Sequence, residues 1–193
     1  RGVTNPIDCR RALPGDAEAL LVARAVSAAA AQGYDYFLVL SADDALGSAG
    51  WAPALVTVLR EAQPLANFGV ALARAGGASP RLVTAPCFHR THLDVFGAML
   101  PAPLLRVMPG ATHARGAARV LPWLAQAYGP CAVHRTNVVL LRGGSVAPAA
   151  LDSALEDALA AAAAAGRVRA SAWIAAMRGG ELLVCEEGWF SEQ

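Results

Sequence analysis

Apolar and polar positions alternate with two different periods along this chain. From Ala17 to Gln32, Leu21, Ala25, Ala28 and Ala31 recur at helical spacing behind Asp16, a good N-cap residue, and Gly33 stands where a helix end favours positive φ. Tyr34 to Leu40 is then almost continuously apolar and rich in aromatic and branched residues, as in a strand covered on both faces. The run ends abruptly at Asp43-Asp44. Gly47, Ser48 and Gly50 predict a loop, and Trp51, Leu55, Val58 and Leu59 predict a second helix from Trp51 to Gln63, closed by Pro64.

Further on, Phe68 to Leu72 and Leu82 to Phe88 read as strands separated by a Gly- and Pro-containing loop. Ala98 to Arg115 is proline-rich and aperiodic, the pattern of a functional loop. A helix interrupted by Pro122 is expected over Ala117 to Tyr128, then a strand over Ala132 to Leu141. Two helices follow, Pro148 to Ala165 capped by Gly166 and Val168 to Met177, with an edge strand over Glu181 to Cys185. Residues 1–15 read as an irregular lead-in and 186–193 as a frayed tail of one domain spanning 1–193. This order predicts an α/β fold, a mixed, mostly parallel sheet flanked by helices in the Rossmann-like manner.

Composition narrows the partners. Charged residues make up 16% and the formal net charge is +1, with Lys and Arg scattered, which argues against nucleic acid as a partner. No run approaches the roughly 18 apolar residues of a membrane helix. From Arg1 the chain shows no basic and apolar leader, so any targeting segment is expected outside these residues. Cys9, Cys87, Cys131 and Cys185 are widely spaced and form no CxxC pair, and are expected mostly as small buried hydrophobes.

The chemistry-bearing residues fall in two stretches. Asp43 and Asp44 end a buried strand, where ligands of open α/β sheets bind, and adjacent carboxylates suit a hard divalent cation that also takes phosphate oxygens. Either they hold a metal or they accept backbone N–H groups in a turn. The second stretch is Phe88-His89-Arg90-Thr91-His92-Leu93-Asp94-Val95-Phe96-Gly97. His89 and His92 share one helix face with Asp94 near enough to orient one of them, as a ligand or a general acid-base set. The alternative is structural: Thr91 and Asp94 have capping-box spacing, with Leu93 and Phe96 packing inward. Arg90 suits a diphosphate, or a surface ion pair.

Taken in order, Tyr36 to Asp44, Gly50-Trp51, Phe68-Gly69-Val70 and Phe88 to Gly97 resemble a GT-A type nucleotide-sugar glycosyltransferase domain, over Tyr34 to Gly129. The resemblance implies transfer of a sugar from a nucleotide-sugar donor to a glycan or protein acceptor, in the secretory pathway. It implies a divalent metal, Mn or Mg, and the donor diphosphate on a DxD-like motif matched by Asp43 and Asp44, with Arg90 at the diphosphate. His134 stands for the late histidine that completes the metal shell, and Asp94, His92 and His89 remain as catalytic candidates. Two departures stand out. Leu121-Pro122-Trp123 lacks the acidic pair that the family carries before its tryptophan, and residues 1–33 lack the opening strand and nucleotide loop. The alternative is a non-catalytic relative that keeps the fold for binding or scaffolding.

Overall fold

A computed structural model describes residues 18–40, 44–63, 65–75, 83–107, 123–124, 126–129, 132–142 and 153–179. The helix behind Asp16 is α1, Glu18–Ala31, and Gly33 follows it at φ +88°, the left-handed geometry its position predicts. Strand β1, Tyr36–Leu38, β2, Asp44–Leu46, helix α2, Trp51–Arg60, and strands β3, Val70–Ala75, and β4, Val83–His89, come next. Helices α3, Thr91–Phe96, and α4, Ala102–Val107, precede β5, Val133–Arg142, and the long α5, Ser153–Met177.

The strands form one five-stranded sheet in the order β1-β4-β3-β5-β2. The sheet is mixed, as the pattern predicts, but only β3 and β5 run parallel; the other three pairings are antiparallel. The expected mostly parallel sheet is therefore corrected. Only β3 and β4 are joined by a short connection, which permits antiparallel neighbours; β1–β4 and β2–β5 are antiparallel pairs of strands remote in sequence, and the parallel pair β3–β5 is joined by a long crossover.

Both faces of the sheet are covered, which is why its strands read as near-continuous apolar runs. Phe37, Val39, Val70, Leu72 and Phe88 point to the larger core with Trp123, Leu124, Tyr128 and residues of α1, α3, α4 and α5. Their alternates Ala71, Ala73, Ala85 and Cys87 point to the other face, where Leu55 and Leu59 of α2 seal a smaller core. Cys87 is a free, buried thiol whose pKa burial pushes up to about 12, so it packs as the small hydrophobe expected. Cys9, Cys131 and Cys185, the lead-in, the tail and the expected strand over 181–185 lie outside the described residues.

Three elements differ from the pattern. Strand β2 begins at Asp44, where a loop is expected, because Asp44 to Leu46 find a ladder partner in Leu140 to Arg142, a pairing too distant in sequence for local pattern to show. Helix α4 lies within the proline-rich stretch, with Pro103 in the first turn, where a missing N–H costs nothing, and Leu104 buried. The two C-terminal helices are one. Gly166 does not end a helix but lets α5 approach: a Cβ there would stand 2.7 Å from Ala127 Cβ.

Gly69 is the more demanding glycine, at φ +111° with a Cβ position that would collide with the Ala132 carbonyl oxygen. Gly69→Ala should lower stability by about 3 kcal/mol. Gly33→Ala, with nothing within 4 Å of the new methyl, should cost only about 1 kcal/mol. Urea unfolding midpoints at unchanged m-value measure both.

Candidate functional site

The segment Phe88 to Gly97 folds as the end of β4, a turn at Arg90, and helix α3 closed by Gly97 at φ 77°. Thr91 is the first helical residue rather than a capping-box N-cap: its hydroxyl donates to the Asn67 carbonyl. Asn67 itself adopts a left-handed conformation, φ 62°, and its side-chain oxygen accepts from the Tyr36 hydroxyl at 2.8 Å. These bonds pin the turn before β3 to the β1 and β4 ends.

His89 and His92 do not act together. His89 is half-buried, packs edge-on against Tyr36 at 4.9 Å, and accepts the Thr91 N–H at Nδ1, 3.2 Å away. The remaining proton of the neutral ring therefore sits on Nε2. Burial lowers its pKa, with Asp35 opposing, Arg90 assisting and Asp94 opposing.

His92, one of three catalytic candidates beside Asp94 and His89, lies in the core. It is fully buried among Phe88, Phe96, Trp123 and Tyr128. Its Nε2 lies 3.0 Å from the Met99 carbonyl and its Nδ1 2.8 Å from the Tyr128 hydroxyl. A carbonyl only accepts, so Nε2 carries the proton and Nδ1 accepts from Tyr128. Both nitrogens are engaged, which leaves neither for a metal or an acceptor hydroxyl. Burial lowers the His92 pKa to about 4, partly offset by the bond to Met99.

Arg90, expected at the diphosphate, pairs with Asp35: its backbone N–H donates to the Asp35 carbonyl at 2.7 Å and its guanidinium reaches the carboxylate at 3.4 Å. Both side chains are about half exposed, so the ion pair itself contributes little. Asp94 is exposed on α3. His134 is half-buried on β5, its Nε2 facing the Phe68 carbonyl at 3.4 Å, and burial lowers its pKa against that bond.

Asp44 lies elsewhere. Asp43 falls outside the described residues, and Asp44 opens β2 opposite Arg142, the last residue of β5. His89 stands opposite Tyr36 at the other end of the sheet, level with the start of β5, since Val70 pairs with both Phe88 and Val133. Along the strands the two ends are on the order of 25 Å apart. His134, opposite Ala71, is itself about 20 Å from the Asp44 end, whereas ligand atoms must lie within about 2.6 Å of one ion. His134 therefore does not complete a shell with Asp44, and among the described residues no three His, Cys, Asp or Glu side chains converge as a metal site. The carboxylates of Asp43 and Asp44 are the donor set that suits Mg or Mn, hard ions that keep positions for phosphate oxygens.

Sequence reasoning missed Tyr128 and Asn67. Tyr128 carried a signal, a hydroxyl in a segment that must otherwise pack apolar; Asn67 carried one as well, since Asn tolerates the left-handed turn before a strand. Comparison with protein families, with curated proteins and with solved structures finds no match to this chain.

Two outcomes follow from the buried imidazole. The unfolded His92 takes up a proton below its ordinary value of 6.5, and the folded one only near 4. The unfolded chain thus binds more protons within that window, so stability is full above it and falls by about 3 kcal/mol as pH drops through it. Urea titrations of the parent and His92→Gln across the window should show a steeper fall in the parent, the slope common to both coming from His89 and His134, whose pKa values burial also lowers. Tyr128→Phe strands Nδ1 without a donor and should cost about 1–3 kcal/mol at neutral pH, read in the same titrations.

Proposed function

We propose that this chain is a GT-A type glycosyltransferase domain that binds a nucleotide-sugar donor through Asp43 and Asp44 with a divalent ion, Mn or Mg, and transfers the sugar to a glycan or protein hydroxyl. The observation that carries the reading is the course of β1. Phe37 of this strand and Val39 just after it are buried, and a few residues further along the sequence Asp44 opens β2, an edge strand of the mixed α/β sheet. Ligand sites of such sheets gather at strand ends, where a rigid scaffold positions short loops. The order of motifs from Tyr34 to Gly129 supports the same reading.

A bound divalent ion would neutralise charge on the departing nucleoside diphosphate. The chain's own contribution would be the two neighbouring carboxylates, with the backbone of Asp44 fixed by the β2–β5 ladder. Activation of the acceptor is not assigned to His89, His92 or Asp94, which belong to the opposite end of the sheet or to the core. This favours, as a second reading, a non-catalytic relative that binds the donor without turnover.

Thermal unfolding with a panel of nucleotide sugars, with and without Mn, tests both. A donor at a hundredfold excess over its Kd should stabilise the parent by about 2.7 kcal/mol in a metal-dependent way, and Asp44→Asn should abolish this. No metal-dependent stabilisation by any donor would overturn the proposal. Donor-dependent stabilisation without hydrolysis or transfer of the sugar would establish the second reading.

A further inference from the structure

We infer that the free edge of β1 is a self-association surface, at which a second copy of this chain pairs its own β1 antiparallel across a two-fold axis. The inference is independent of the donor-site reading and concerns the opposite edge of the sheet from β2. Among the described strands β1 is bonded to β4 on one side only. Two bonds show which of its backbone groups β4 takes: the Arg90 N–H donates to the Asp35 carbonyl at 2.7 Å, and the Val39 N–H to the Pro86 carbonyl at 3.0 Å. Backbone groups alternate along a strand, so the N–H and C=O of Tyr36 and Leu38 point away from β4, at the free edge.

The side chains beside that edge are also incompletely covered. Tyr36 and Leu38 are only partly buried at the rim of the smaller core, since α2 packs over β5, β3 and β4. Tyr34 before the strand and Leu40 after it are 39% and 40% exposed. Folded proteins keep a bare edge from pairing by placing Lys, Pro or a bulge on it. Tyr36 to Leu40 holds no charge, proline or glycine, and its register with β4 runs without a shift. Such an edge is complementary to another extended apolar strand.

Register identifies that strand as a second β1. A two-fold axis at Phe37 brings outward groups onto outward groups, with Tyr36 of each copy opposite Leu38 of the other. The same register carries Leu40 of each copy alongside Tyr34 of the other, so the two exposed side chains that flank the strand cover one another. Asp35, the only charge from Tyr34 to Leu40, then meets Val39 rather than a like charge. A stretch that satisfies its own open positions when turned upon itself is what an isologous interface requires.

Sedimentation of the intact chain over a wide range of concentration tests this. The parent should pass from monomer to dimer, with a Tm that rises with concentration. Leu40→Lys sets an ammonium against Tyr34 of the other copy and should weaken the dimer about tenfold or more. Leu38→Pro removes an outward N–H and no bond to β4, and should do the same. Trp51→Ser, which alters an exposed apolar side chain on α2 away from the edge, should leave association unchanged. If Leu38→Pro does not fold, Leu40→Lys decides the matter, because it changes an exposed side chain alone. A parent that stays monomeric throughout, or grows beyond the dimer, would overturn the inference. So would association that is unchanged in Leu40→Lys or in a folded Leu38→Pro, or equal loss in Trp51→Ser.

Discussion

A buried imidazole is tolerable only when neutral and bonded at both nitrogens, and the larger core is arranged around one that meets this condition. His92 joins three parts of the chain that are remote in sequence: α3, which carries it, the turn at Met99, and the helical turn that ends at Tyr128. The aromatic rings of Phe88, Phe96, Trp123 and Tyr128 close around it, so polar satisfaction and apolar packing are set by one side chain. Arg169 of α5 then donates to the Phe96 carbonyl at 2.9 Å, which ties the long helix to the end of α3. A charged or displaced His92 would loosen all of these together.

This arrangement divides the molecule's polar residues by task. At the β1–β4 end, Asp35, Tyr36, Asn67, His89, Arg90 and Thr91 bond to one another and fix turns. At the other end, Asp44 and Arg142 meet on the ladder that closes the sheet. A single catalytic centre drawing on both groups is incompatible with the register. The functional reading accordingly rests on the acidic end and on the fold that presents it.

Much of this was legible in local pattern and the rest was not, for identifiable reasons. Helices α1 and α2 and strands β1, β3, β4 and β5 follow from periodicity within a residue or two at most boundaries, because each buries one face or both in a way that spacing records. Strand direction is not recorded in spacing, so the antiparallel majority was hidden. Gly166 misled because glycine serves both as a helix stop and as a close-packing residue, and only the facing Ala127 distinguishes them. The His-rich stretch looked catalytic because His92 carries the same residue type whether its partners are a substrate or Met99 and Tyr128, and those partners lie 7 and 36 positions away.

The position of β2 at the sheet edge has a consequence for how the molecule is assembled. β2 is hydrogen-bonded only to β5 within the sheet, and its partner residues come about a hundred positions later in the chain. β1, β3 and β4 can pair within a much shorter span. The acidic end therefore closes only after the long crossover has delivered β5, late in folding and against the largest loop-closure entropy. On the ribosome, the strand that presents Asp44 waits for residues not yet made, and until they emerge β1, β4 and β3 can pair while β2 has no partner.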